Sequence, residues 1–184
     1  MDPAALLEHL KLRTGLQERH VRCLQTLGAT MQPLAQEVAL AFYDYLGRDE
    51  EMQRLLWAVP GRVERLYTSF AAWYGELFSG CYDAVYAQRR YRIGLVHARL
   101  GVAPRYMIPA MGVVQELSLS HLTEVLRPLQ VIEAVEAFEK IIAIEIALLE
   151  ESYLAAMEQG LSLGHSESTQ GALTMGAAAL LQEV

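Results

Sequence analysis

The sequence predicts an all-α chain, and three observations carry this. Asparagine is absent, which removes the Asn-Gly hairpin signal. No stretch alternates apolar and polar residues for long, whereas apolar residues recur at three- and four-residue spacing almost throughout. Proline and glycine fall between these periodic stretches, where helices start and stop.

A first short helix is expected from about Ala4 to Arg13. Thr14, with Gln17 three positions on, has the spacing of a capping box, and starts a helix carrying Leu16, Val21, Leu24 and Leu27 that ends near Gly28. Pro33 opens the next helix, with Leu34, Val38, Phe42, Tyr43 and Leu46 along one side, closed at Gly47. Asp49 caps a short helix to about Trp57, and Pro60-Gly61 breaks the chain. Val63 to Phe78 and Asp83 to about Leu100 are the next two helices, ended by Ser79-Gly80 and Gly101. Pro104 starts a helix to about Leu126, with Pro109 as a potential kink. Pro128 opens the longest helix, to about Gln159 before Gly160. That helix is apolar almost all round, which implies packing on most sides and points to a partner chain. Residues 1–160 thus read as one domain, and residues 161–184 as a Ser/Gly/Thr-rich linker followed by a weak Ala/Leu-rich helix.

The chain of 184 residues is 53% hydrophobic and only 20% charged, where about 25% charged is ordinary. It therefore carries more apolar surface than one core obviously needs, and the excess calls for an apolar ligand, a subunit interface, or both. A membrane span is not expected, because the longest uncharged run, Ser168 to Gln182, falls short of the ~18 residues needed. The net charge of −7 argues against nucleic acid as a partner. Asp2, Glu8 and His9 interrupt any signal-peptide core, and Cys23 and Cys81 form no disulfide framework or zinc pattern, so a cytoplasmic location is expected.

No nucleophile elbow, P-loop, dinucleotide fingerprint, HExxH or CxxC motif is present, and this domain is read as non-enzymatic. His97 is the informative histidine. Its helical neighbours Ile93, Val96 and Leu100 make an apolar patch, and Gly94, one turn back, removes bulk beside it. A single imidazole on such a surface suits the axial position of a haem iron. The competing reading is a core histidine bonded to a backbone carbonyl. Arg89, Arg90 and Arg92 are either partners of haem propionates or a solvated face.

The stretch RIGLVHARLGVAPRYM, Arg92 to Met107, resembles the proximal region of the globin-coupled sensors and protoglobins. AFYDYL, Ala41 to Leu46, is similar to the family's Phe-Tyr pair, and VERLYTSFAAWYGELFSG, Val63 to Gly80, to its distal helix. The resemblance implies a globin-type fold with an extra N-terminal helix, dimerising through its last two long helices. It implies haem b, with His97 as proximal iron ligand and Tyr43 as the hydrogen-bond donor to bound O2. Leu66 and Ser69 then face the ligand, Leu66 gating water. Phe42, Ile93, Val96, Leu100, Tyr106 and Met107 pack on the cofactor. Some family members have two consecutive aromatics where this chain has Tyr106-Met107, so the proximal contact differs here. The implied function is a haem-based sensor of O2, also taking CO, NO or anionic ligands on ferric haem. It would report through a homodimer to a C-terminal transmitter: a histidine kinase first, otherwise a diguanylate cyclase or a chemotaxis transducer. Two other readings remain: a haem-free dimeric interaction module of the same fold, and a stand-alone protoglobin that binds gas on its own.

Overall fold

The computed structural model describes residues 2–158 and residue 160, and among them every regular element is helical. The helices are α1 (Pro3–Thr14), α2 (Glu18–Met31), α3 (Ala35–Leu46), α4 (Glu50–Leu56), α5 (Arg62–Glu76), α6 (Ala84–Arg99), α7 (Pro104–Val125) and α8 (Pro128–Glu158), with one 3-10 turn, Gln32–Leu34, between α2 and α3. The expected linker, 161–184, lies outside the described residues. No helix among the described residues is long and apolar enough to cross a membrane.

The caps follow from local chemistry. Asp2 accepts from the amides of Ala4 and Ala5, satisfying donors that the first turn leaves free. Asp49 and Asp83 do the same for α4 and α6. Thr14 departs from expectation, because it is the last residue of α1 and not a cap of α2, its hydroxyl donating back to the Leu10 carbonyl at 2.8 Å. Gly15 takes a left-handed φ of 68° and, with Leu16, bonds back to Leu12 and Lys11, a Schellman closure. The cap of α2 is Gln17, whose amide donates to Nδ1 of His20 at 2.9 Å. Nor does α2 stop at Gly28; it runs on to Met31, where Pro33 forces the 3-10 turn that leads into α3. Helix α7 continues past Pro109.

Helix α8 packs on α1, α2, α6 and α7. Its Phe138, Ile141, Ile142, Ile144 and Leu148 are fully buried there, Phe138 stacking on Phe78 at 5.9 Å. The chain's own helices thus cover most of the apolar circumference that pointed to a partner. The residues left open are Leu129 (88% exposed) and Ile132 (70%) beside Val125 of α7, and Leu154 and Met157 near the far end. Helix α6 closely approaches α8 at Gly94, where an added Cβ would lie 1.7 Å from the Ser152 hydroxyl and 3.1 Å from the Leu149 carbonyl. Gly94 therefore serves a helix crossing, and not access for a flat ligand.

Helix α1 lies across α6 and α8. The chain's two lysines hold it there: Lys11 donates to the Tyr82 carbonyl, and Lys140 of α8 donates to the Thr14 carbonyl at 2.8 Å.

Candidate functional site

A cavity of about 260 Å³ opens between α3, α4 and α5 on one side and α6, α7 and α8 on the other. Its lining is mostly apolar: Phe42 and Leu46 from α3, Met52 and Leu55 from α4, Met107 and Met111 from α7, Leu149 from α8. Helices α3 and α5 pack on each other, as do α6 and α8, whereas α5 and α6 are separated by the cavity.

His97, near the C-terminal end of α6, lines this space. Its carbonyl accepts from Val102 beyond the left-handed Gly101, so the ring stands on a well-closed helix end. Its Nδ1 is buried with no hydrogen-bond partner among the described residues. Such orphaned groups are rare, because each forfeits hydration without replacement. A core histidine bonded to a carbonyl through Nδ1, one form of the alternative drawn from sequence, is therefore not what is found. Burial pushes the imidazole pKa down to about 4, so the ring is neutral near pH 7 and keeps a lone pair. Neutral imidazole is the form that binds a metal.

Tyr43, on α3, also lines the cavity. It is buried edge-on against Phe42 (ring centres 5.3 Å apart) and Tyr67 (5.4 Å). Burial first, and Tyr67 second, push its pKa up, so the phenol keeps its proton. No hydrogen bond occupies its hydroxyl among the described residues. The geometry leaves a protonated donor at an apolar wall.

Of the other residues singled out, Phe42, Leu66, Ser69, Ile93, Val96, Leu100 and Met107 all line the cavity. Ser69 also makes a long contact, 3.4 Å, to the Arg65 carbonyl one turn back. Tyr106 is not in the lining. Its hydroxyl donates to Glu51 of α4, and the Arg105 guanidinium lies over its ring at 4.6 Å. Tyr106 points about 100° away from Met107 around α7, and its hydroxyl is turned to Glu51.

The three arginines separate. Arg92 lines the cavity with no ion pair among the described residues, and Arg89 pairs with Glu76 at 2.9 Å. Arg90 is neither a solvated residue nor a free cation. It is 4% exposed, paired with Glu145 at 2.9 Å and with Glu76 at 2.7 Å. Burial opposes its charge, but Glu145 and Glu76 outweigh this and raise its pKa. Glu145 also accepts from Trp73 Nε1 at 2.7 Å and from the Tyr86 hydroxyl. This charged knot borders the cavity, and sequence reasoning missed it. Its one visible signal was Glu145 itself, the single carboxylate within the apolar run Ile141 to Leu149.

The residues present fit a haem. Among the described residues no cluster of three or more His, Cys, Asp or Glu is placed to hold an ion. A metal at His97 must then bring its other ligands with it, as a macrocycle does. An apolar cavity with one neutral imidazole on its wall is that kind of site.

The family model described as Protoglobin matches residues 4–159. Among solved structures, the globin domain of the Geobacter sulfurreducens globin-coupled sensor is similar at 27% identity and a TM-score of 0.75, over 79% of this chain and 96% of that one. The match runs through α1 to α8, the same helices that enclose the cavity. The chain therefore belongs to the protoglobin family, as a globin domain of the globin-coupled sensor kind.

Proposed function

We propose that this domain is a haem-based gas sensor that binds O2 and reports its ligand state through a dimer to a C-terminal transmitter, a histidine kinase in the first instance. The observation that carries the reading is the pairing of an orphaned, neutral His97 with an unengaged Tyr43 hydroxyl in one apolar cavity. Haem b supplies reversible binding of a diatomic gas. The residues supply the rest. His97 holds the iron. The Tyr43 hydroxyl would donate to a ligand held in the cavity, which favours O2 over CO because O2, once bound, takes on more negative charge than CO does. Leu66 excludes water, Ser69 offers a second hydroxyl, and Arg92, which lines the cavity without an ion pair among the described residues, is a cation available to a propionate. CO, NO and anions on ferric haem are secondary ligands of the same site.

For transmission, the two ligand states must favour different packings of α7 and α8 between protomers. Val125, Leu129 and Ile132 are large apolar residues at that end which the described residues leave exposed. The deciding experiment is the absorption spectrum of the reconstituted ferrous protein with and without O2. A Soret band that shifts reversibly on oxygenation is expected; no Soret band after reconstitution points instead to a haem-free interaction module.

A further inference from the structure

The knot around Glu145 is costly to bury. A carboxylate and a guanidinium taken out of water lose hydration that an apolar pair of similar volume would not lose. An apolar cavity does not need them for support, and their placement suggests another use. Glu145 sits on α8, and its two oxygens are held by opposite walls of the cavity. Oε2 accepts from Trp73 of α5, one turn beyond Ser69 and Phe70. Oε1 accepts from Arg90 and Tyr86 of α6, the helix that carries His97 two turns further on. Arg90 closes the loop by donating to Glu76 and to the Trp73 carbonyl, both on α5. Helices α5 and α6 diverge around the cavity, and the ties just described between them are polar and pass through or beside this carboxylate.

We propose that Glu145 is a positioning residue of the pocket: it sets the spacing of α5 and α6 across the cavity and is the point where a change in that spacing passes to α8. The second half rests on the gas-sensor reading. Ionic and hydrogen-bonded contacts suit this use because their energy depends steeply on geometry, so a small shift of either wall redistributes three bonds on one carboxylate. Apolar packing alone would absorb the same shift diffusely. Each of the three helices reaches the knot with its own side chain, so none can slide without breaking a named contact.

The test compares amide hydrogen exchange in α8 between ligand-free and CO-bound ferrous protein. In the parent, residues 141–149 are expected to change exchange rate on CO binding. Glu145→Gln keeps the shape and removes the charge, and it should keep its haem and its CO-shifted Soret band while losing that CO-dependent difference. Should Glu145→Gln fail to fold, Trp73→Phe decides, because it cuts the direct bond from α5 to Glu145 and leaves the ion pair intact, α5 then being tied through Arg90 alone; it should reduce the same difference. A purely structural role would speed exchange in both ligand states and leave the difference unchanged. A parent that binds CO without any response in residues 141–149 overturns the proposal alone, as do variants that respond like the parent. A parent that takes up no haem overturns the sensor reading and the transmission claim with it.

Discussion

Gly94→Ala adds one methyl group where α6 crosses α8. The new Cβ would stand 1.7 Å from the Ser152 hydroxyl, 2.8 Å from the Ser152 Cβ and 3.1 Å from the Leu149 carbonyl. The hydroxyl can rotate away, at the loss of its bond to Leu149. The Cβ and the carbonyl belong to the helix itself, so α8 has to move. Ala for Gly in a helix interior gains about 1 kcal/mol in an open site. Overpacking of this kind costs about 1–3 kcal/mol, and two backbone-fixed contacts put it at the upper end. The net expectation is a loss of about 1–2 kcal/mol, or roughly 2–8 °C in Tm for a domain of this size. Ser152→Gly removes two of the three contacts, so the double variant should be less destabilised than the sum of the singles by about 1 kcal/mol. Thermal melts of the haem-free protein followed by circular dichroism measure all four corners of the cycle. A Gly94→Ala protein that melts with the parent, yet takes up haem poorly, would refute the helix-crossing account and restore the idea of a glycine kept clear for the ligand.

Four further outcomes are expected, from three variants. His97→Ala should abolish stoichiometric haem binding, read from the Soret band. The same variant tests linkage in the haem-free protein: with the His97 pKa lowered to about 4 from 6.5, the unfolded chain binds the extra proton first as pH falls, so stability is lost from about pH 6.5 down to 4. That loss approaches about 3 kcal/mol at the acid end, and urea titrations should show a shallower pH slope for His97→Ala than for the parent. Tyr43→Phe should speed O2 dissociation or autoxidation several-fold in stopped-flow and spectral decay; unchanged kinetics would remove Tyr43 from the ligand. Tyr106→Phe removes a hydroxyl whose bonds, donated to Glu51 and accepted from Arg105, are both exposed, so it should cost less than about 1 kcal/mol and leave the haem spectrum as it was.

Helix order was legible because it follows from periodicity and punctuation. The spacing also marks the apolar side that carries Phe42 and the patch around His97, whereas Leu66 and Ser69 were legible only through the resemblance to the globin-coupled sensors. Thr14 misled because two signals competed within a few residues, and a left-handed Gly15 ends a helix more decisively than a threonine starts one. The apolar circumference of α8 was visible, but periodicity reports that a face is covered and not by which chain. Arg89, Arg90 and Arg92 look alike in sequence, and only the third dimension brings Glu145, over fifty residues away, to Arg90 alone. The bonds of Trp73 and Tyr86 to Glu145 were not legible, because nothing local shows where an indole N–H or a phenol O–H will find an acceptor.

The docking of α1 carries a practical consequence for anyone handling this domain. Lys11 and Lys140 are the whole complement of side-chain amines, and both are spent on backbone carbonyls at the α1 junctions. Amine-directed dyes, cross-linkers or surface tethers would therefore unpin the N-terminal helix as they react. Cys81, exposed and free, offers a handle that spares both amines, although it adjoins the Tyr82 carbonyl that Lys11 holds.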